Sequence, residues 1–166
     1  ASKESCHGYS FLGLLGEVKP FDVGVGTPHA FQVIALPASL SLPLSFWQEL
    51  SDRLKACGIS ATKHEFMHER KKELYHGVRL CMDNINQVNA FNAFLLTVSL
   101  VKKAGIALDF QREFDKAAGS ARVRAFLNGS ITYQELMGDI NKDLQIFFQK
   151  AQSVFRYAPH PELIFN

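Results

Sequence analysis

The 166-residue chain is short of cysteine, of net charge and of long apolar runs. Its three cysteines, Cys6, Cys57 and Cys81, are odd in number and widely spaced. That excludes a disulfide framework and a CxxC metal or redox pair, and leaves small buried hydrophobes as the expectation. Eighteen Lys and Arg stand against sixteen Asp and Glu, a net charge of +2. No basic stripe of the kind a nucleic-acid or acidic-membrane binder carries is present. The longest apolar stretch, Val88 to Val101, is broken by Asn89 and Asn92 and is too short to span a bilayer. No initiator Met and no signal peptide stand at Ala1, so the chain reads as a piece trimmed from a longer one. What is abundant is apolar: 47% hydrophobic residues with 14 Phe, against 20% charged. That composition excludes bulk disorder and supports one ordinary domain with its own core.

The early part reads as extended structure with turns. Phe11 to Leu15 is apolar, Val23-Gly24-Val25-Gly26-Thr27-Pro28 is a glycine-rich turn, and Ala30 to Leu36 is a short apolar run between prolines. Ser45 and Gln48 form the pattern of a capping box, opening a helix with Phe46, Leu50 and Leu54 on one face and Gly58 beyond its end. Leu74 to Met82 alternates like a strand, with Val78, Leu80 and Met82 on one side. A helix is expected from about 86 to 103, and two shorter ones over 110–117 and 120–128. A long helix should open at the Thr132/Glu135 capping box and run to about Arg156, with the stripe Leu136, Ile140, Leu144, Phe147, Phe148, Ala151 and Phe155. Strands early and helices late give an α+β expectation: a small mixed β-sheet packed against several helices.

Three motifs invite chemistry. His64-Glu65-Phe66-Met67-His68 is a literal HExxH, which on a helix places two zinc ligands on one face with a general base between them. Its flanks are polar, and in a strand the two His would sit about 13 Å apart. Gly24-Val25-Gly26-Thr27 exposes backbone N–H groups but lacks the third Gly of a dinucleotide site and the Lys of a phosphate loop. Glu17 and Asp22 are five apart, and glycoside hydrolysis needs two carboxyl groups. On an ideal strand that odd separation points them to opposite faces.

Several segments resemble one family, the bacterial exo-β-N-acetylmuramidases, in their carboxy-terminal domain. Leu15-Gly16-Glu17, the turn Val23 to Thr27, and Phe31-Gln32-Val33-Ile34 are similar to its Phe-Glu-Gly-Thr, Ser-Val-Gly-Arg-Gly-Thr and Pro-Phe-Gln-Val-Ile-Gly segments. Gly77-Val78-Arg79-Leu80 resembles a further strand. So do Phe114-Asp115, Gly119-Ser120, Val123-Arg124, Leu127-x-Gly129, Glu135-Leu136, Asp143-Leu144, Phe147 and Tyr157 in the helical half. The departures are Asp22 for Ser, Val25 for Arg, Arg79 for Gln or Asp, and Gly16 and Val18 around Glu17.

The resemblance implies a second, cleft-forming domain whose amino-terminal, Rossmann-like partner is absent from this chain and carries most of the catalytic carboxylates. It implies removal of N-acetylmuramic acid from the non-reducing ends of peptidoglycan fragments in the bacterial envelope or periplasm. It assigns Glu17 a catalytic role, and Gly24, Gly26, Thr27, His29, Gln32 and Arg79 substrate binding, with Arg79 standing in for the lost Arg. No cofactor and no metal are expected, and the isolated chain should be inactive. A non-catalytic glycan- or protein-binding module is the alternative reading, and a zinc hydrolase built on HExxH is the second.

Overall fold

The computed structural model describes residues 2–82 and 84–154. Its order is α1 (Lys3–Leu15), β1 (Val18–Lys19), β2 (Val33–Pro37), α2 (Leu44–Lys55), β3 (Ser60–His68), β4 (Glu73–Cys81), α3 (Ala90–Lys103), β5 (Asp109–Phe110), α4 (Phe114–Ala117), α5 (Ala121–Leu127) and α6 (Tyr133–Ala151). The class is α+β, as expected. The expected mixed sheet is instead two antiparallel ones: β2-β4-β3, and the short pair β1-β5.

The first correction lies in α1. Phe11 to Leu15, read as extended, is the last turn of a helix capped by Ser2, whose hydroxyl accepts from the Ser5 N–H. Phe11, Leu12 and Leu15 are its buried face. Phe11 with Leu15, four residues apart, satisfies helical as well as strand-like apolarity, so a short run does not distinguish the two. The second correction is at α2. Its cap is Pro43, with no side-chain bond, and Gln48 bonds to Asp52 one turn on. Proline already fixes the entry dihedral and Ser45 falls inside the first turn, so the capping box does not form. The apolar stripe Phe46, Leu50 and Leu54 is buried as read.

In β4, Val78 and Leu80 are buried and Met82 packs partly against the core just beyond the strand. Helix α3 begins at Ala90 under an Asn89 cap, after a 3-10 turn over Ile85–Gln87. Between it and α5, β5 and the four-residue α4 replace one longer helix, because Asp109 and Phe110 pair with β1. The Thr132/Glu135 capping box forms as read, and α6 runs to Ala151 with a 3-10 turn over Gln152–Val154. Leu136 is buried, but Leu144 and Phe147 are exposed, Phe147 at 65%. The stripe of α6 is therefore only partly covered by this chain. Phe155, Arg156 and Tyr157 lie outside the described residues. Cys57 is buried as expected, whereas Cys6 and Cys81 are exposed. No helix among the described residues is long and apolar enough to cross a membrane.

One apolar cluster joins α1, α2, α3, the sheet and the short helices, with Phe11, Phe21, Phe94 and Phe114 fully buried. Helix α2 packs on one face of the sheet. The chain from Phe21 to Gln32 runs along its β2 edge, where Asp22 bridges Ala35. This arrangement brings the glycine-rich turn to the tip of the β3–β4 hairpin.

Candidate functional site

The glycine-rich turn is locked by local bonds. The Gly24 N–H donates to Asp22 Oδ1 at 2.8 Å, and the Thr27 hydroxyl donates to the Gly24 carbonyl at 2.8 Å. Thr27 Oγ1 also accepts from the His29 N–H, and the Phe31 N–H closes back on the Val23 carbonyl. Gly24 has φ +77°, and a Cβ there would stand 2.6 Å from the His29 carbonyl oxygen. The position therefore demands glycine for geometry alone. Gly26, at φ +89°, points into open space.

Asp22 is the hub. Its carboxylate is nearly buried, yet Oδ2 lies 3.2 Å from Lys71 Nζ and 3.5 Å from His68 Nε2. Lys71 also donates to the Tyr75 hydroxyl at 2.9 Å, and its ammonium sits 4.9 Å from the Tyr75 ring centroid. Desolvation works against the Lys71 charge, but the bonds to Tyr75 and Asp22 outweigh it and raise its pKa. Burial pushes the Tyr75 hydroxyl up as well. His68 Nδ1 accepts from the Lys71 N–H, which leaves the ring proton on Nε2, facing Asp22. The hairpin tip is thereby pinned over the loop.

Beside this hub opens a cavity of about 650 Å³. Glu17, Lys19, Asp22, Val25, Arg70 and Lys71 supply its polar and rim groups. Tyr9 and Phe31, packed edge to face at 5.0 Å, form an aromatic wall. A second cavity of about 300 Å³ shares Val25, His68 and Arg70 with the first and adds Gly26, Thr27 and Phe66. Glu17 and Asp22 line one cleft, against the opposite-face expectation. The chain between them is not an ideal strand: β1 covers only Val18–Lys19, and the Phe21 N–H turns back to the Val18 carbonyl. Glu17 makes backbone bonds to Leu14 and Gln111, while its carboxylate has no partner among the described residues.

The expected binding residues divide. Glu17 lines the first cavity, and Gly26 and Thr27 line the second. Gln32 does not reach either: it is buried and turned toward the start of α1, donating to Ser5 Oγ at 3.2 Å and Ser2 Oγ at 3.4 Å. His29 packs edge to face on His64 at 5.2 Å instead of opening into the cleft. Arg79 is paired in register with Val33 and Thr62, two positions beyond Gly77 and farther from the hairpin tip. Its charge, behind burial and His29, helps lower the His64 pKa. The residues missed in the sequence are His68, Arg70, Lys71 and Tyr75 as cleft and hub groups. The charge run 69–73 reads as a solvated face, and nothing local shows that it folds onto a loop 49 positions earlier.

HExxH lies in β3, not on a helix. His64, Phe66 and His68 alternate onto one face. Phe66 stands between the two His, stacked on His64 at 5.7 Å and on Tyr75 at 5.5 Å. Among the described residues no group of three or more His, Cys, Asp or Glu is placed to hold a metal ion. The helix that a zinc hydrolase motif requires is not formed.

The two-sheet α+β fold that holds this cleft has a solved counterpart. A DUF1343-family protein from Bacteroides fragilis NCTC 9343 superposes over 92% of this chain with a TM-score of 0.72 and 20% identity. At that identity the likeness speaks for the fold, and the chain spans 42% of that protein's length. No curated protein matches. The model of the exo-β-N-acetylmuramidase NamZ carboxy-terminal domain matches residues 7–157, and the chain belongs to that family.

Proposed function

We propose that this chain is the cleft-forming, carboxy-terminal part of a glycosidase that releases N-acetylmuramic acid from the non-reducing ends of peptidoglycan fragments. The observation that carries the reading is the state of the two carboxylates in one cleft. Asp22 is committed to Gly24, Lys71 and His68, whereas the Glu17 carboxylate has no partner among the described residues and lines the cavity. Glycoside hydrolysis takes two carboxyl groups, one to protonate the leaving oxygen and one as nucleophile or base. This cleft offers one that is uncommitted. The second then comes from the amino-terminal partner domain that the family's carboxy-terminal designation implies. Glu17 is assigned to act on the sugar, Tyr9 and Phe31 to offer it an apolar wall, and Gly26 and Thr27 to lie beside it.

Turnover of a chromogenic N-acetylmuramic acid glycoside by the full-length protein tests this. Activity in the full-length protein, its loss in Glu17→Gln and none in residues 1–166 alone are the expected results. Turnover by the isolated chain contradicts the division of labour.

One observation favours a second reading, a non-catalytic glycan-binding module. Val25, at the family's Arg position, is 57% exposed and offers an apolar surface where the resemblance puts a charge. Sugar binding without turnover in the full-length protein distinguishes it.

A further inference from the structure

The three cations around the first cavity are not equivalent. Lys71 is engaged by Asp22 and Tyr75. Lys19 turns back to the Gly16 carbonyl at 3.4 Å. Arg70 has no ion pair or hydrogen bond among the described residues, and it lines both cavities at their shared wall with Val25 and His68. The bonds that pin Lys71 also fix the backbone that carries Arg70, because the Lys72 N–H closes the turn on the His68 carbonyl at 2.8 Å.

We propose that Arg70 determines specificity in this cleft by reading a carboxylate on the bound sugar, from the hairpin tip, across from the uncharged Val25. This deepens the muramic acid reading above and rests on it. N-acetylmuramic acid differs from N-acetylglucosamine by a lactyl ether that ends in a carboxylate. A guanidinium presents two parallel N–H donors to such a group, and among the described residues Arg70 is the cation of this cavity that has no ion pair or hydrogen bond. Glu17 would repel the same carboxylate, so the two charges orient the sugar, with its lactyl arm toward the hairpin tip. The residue expected to replace the missing Arg, Arg79, is not at this wall.

Calorimetric titration of the full-length protein with N-acetylmuramic acid and with N-acetylglucosamine tests the assignment. Neither sugar is turned over. The wild type is expected to prefer the first by about tenfold or more, the scale of a charge-assisted bidentate contact. Arg70→Ala should abolish the preference while leaving N-acetylglucosamine binding and the melting temperature unchanged. Adding Val25→Arg to that variant should restore it, since position 25 lines the same two cavities. A preference that survives Arg70→Ala overturns the role of Arg70 and leaves the muramic acid reading standing. No return of the preference with Val25→Arg means that Arg70 acts through structure, and that also overturns it. A wild type that binds both sugars equally, or neither, overturns the muramic acid reading and this proposal with it.

Discussion

Lys71 Nζ lies 3.2 Å from Asp22 Oδ2, tying the tip of the β3–β4 hairpin to the glycine-rich turn across 49 positions of sequence. Asp22 is nearly buried, while Lys71 keeps much of its side chain in solvent. Removing Lys71 leaves a buried carboxylate short of a donor. Lys71→Met should cost about 1–3 kcal/mol in urea unfolding. In the Asp22→Asn background the same change should cost measurably less, because the charge it served is gone. Equal costs in both backgrounds would show that the pair is not coupled.

The two turn glycines should respond differently. Gly26→Ala meets open space and carries only the positive-φ cost, roughly 1 kcal/mol. Gly24→Ala adds a contact with the His29 carbonyl, so a further ~1–3 kcal/mol is expected. Thermal melts of the two variants check the order.

Gln32 holds α1 to the start of β2, through Ser5 and Ser2. Gln32→Ala should lower stability by about 1 kcal/mol and leave sugar affinity in the full-length protein unchanged. A selective loss of affinity at unchanged stability would return Gln32 to the cleft.

His64 gives a pH signature. Desolvation first, then the His29 and Arg79 charges, hold its pKa below the ordinary 6.5. The unfolded chain therefore binds a proton before the folded one does. The corresponding stability is fully present above pH 6.5 and is lost as pH falls through the folded-state value. Urea midpoints from pH 7.5 to 4.5 should show this loss, reduced in His64→Asn. His64 ring signals in NMR should titrate below 6.5.

Lys71 and Tyr75 act at the other end of the scale. Both have raised pKa values, so the protonated ammonium and the neutral phenol are favoured by folding. Their contribution is complete below about pH 10 and declines as pH rises through the folded values. Urea midpoints from pH 8 to 11 should therefore fall less in Tyr75→Phe, which removes the phenol and one of the bonds that raise the Lys71 pKa, than in the wild type.

Much of the fold was legible because it depends on local pattern. The Thr132/Glu135 box opens α6, Phe46, Leu50 and Leu54 line the buried side of α2, and Val78 and Leu80 face the core from β4. The errors arise where two local readings compete. Phe11 to Leu15 is too short an apolar run to separate helix from strand, and Pro43 overrides Ser45 as the start of α2. The α6 stripe is real in sequence but not matched by cover within the described chain: Leu136 is buried and Phe147 is not. Periodicity reports a face, not what lies against it.

For the site, residue types and spacing picked out Glu17, Gly26 and Thr27, which do line cavities. They also kept Glu17 and Asp22 apart, because an ideal strand points residues five apart to opposite faces. A turn at Val18–Phe21 brings both into one cleft. HExxH contains the ligand types of a zinc site, and only the strand geometry, with Phe66 between the two His rings, separates them. The sequence alone determined most of the later element types, the buried faces of α2 and β4, and the family pattern, since these follow from short-range propensity and apolar spacing. The tertiary structure alone decided that Asp22 is a pin, that Gln32 turns inward, and that Arg70 and Lys71 reach the cleft. Those roles depend on where a hairpin tip docks, and docking is set by contacts between segments far apart in the chain.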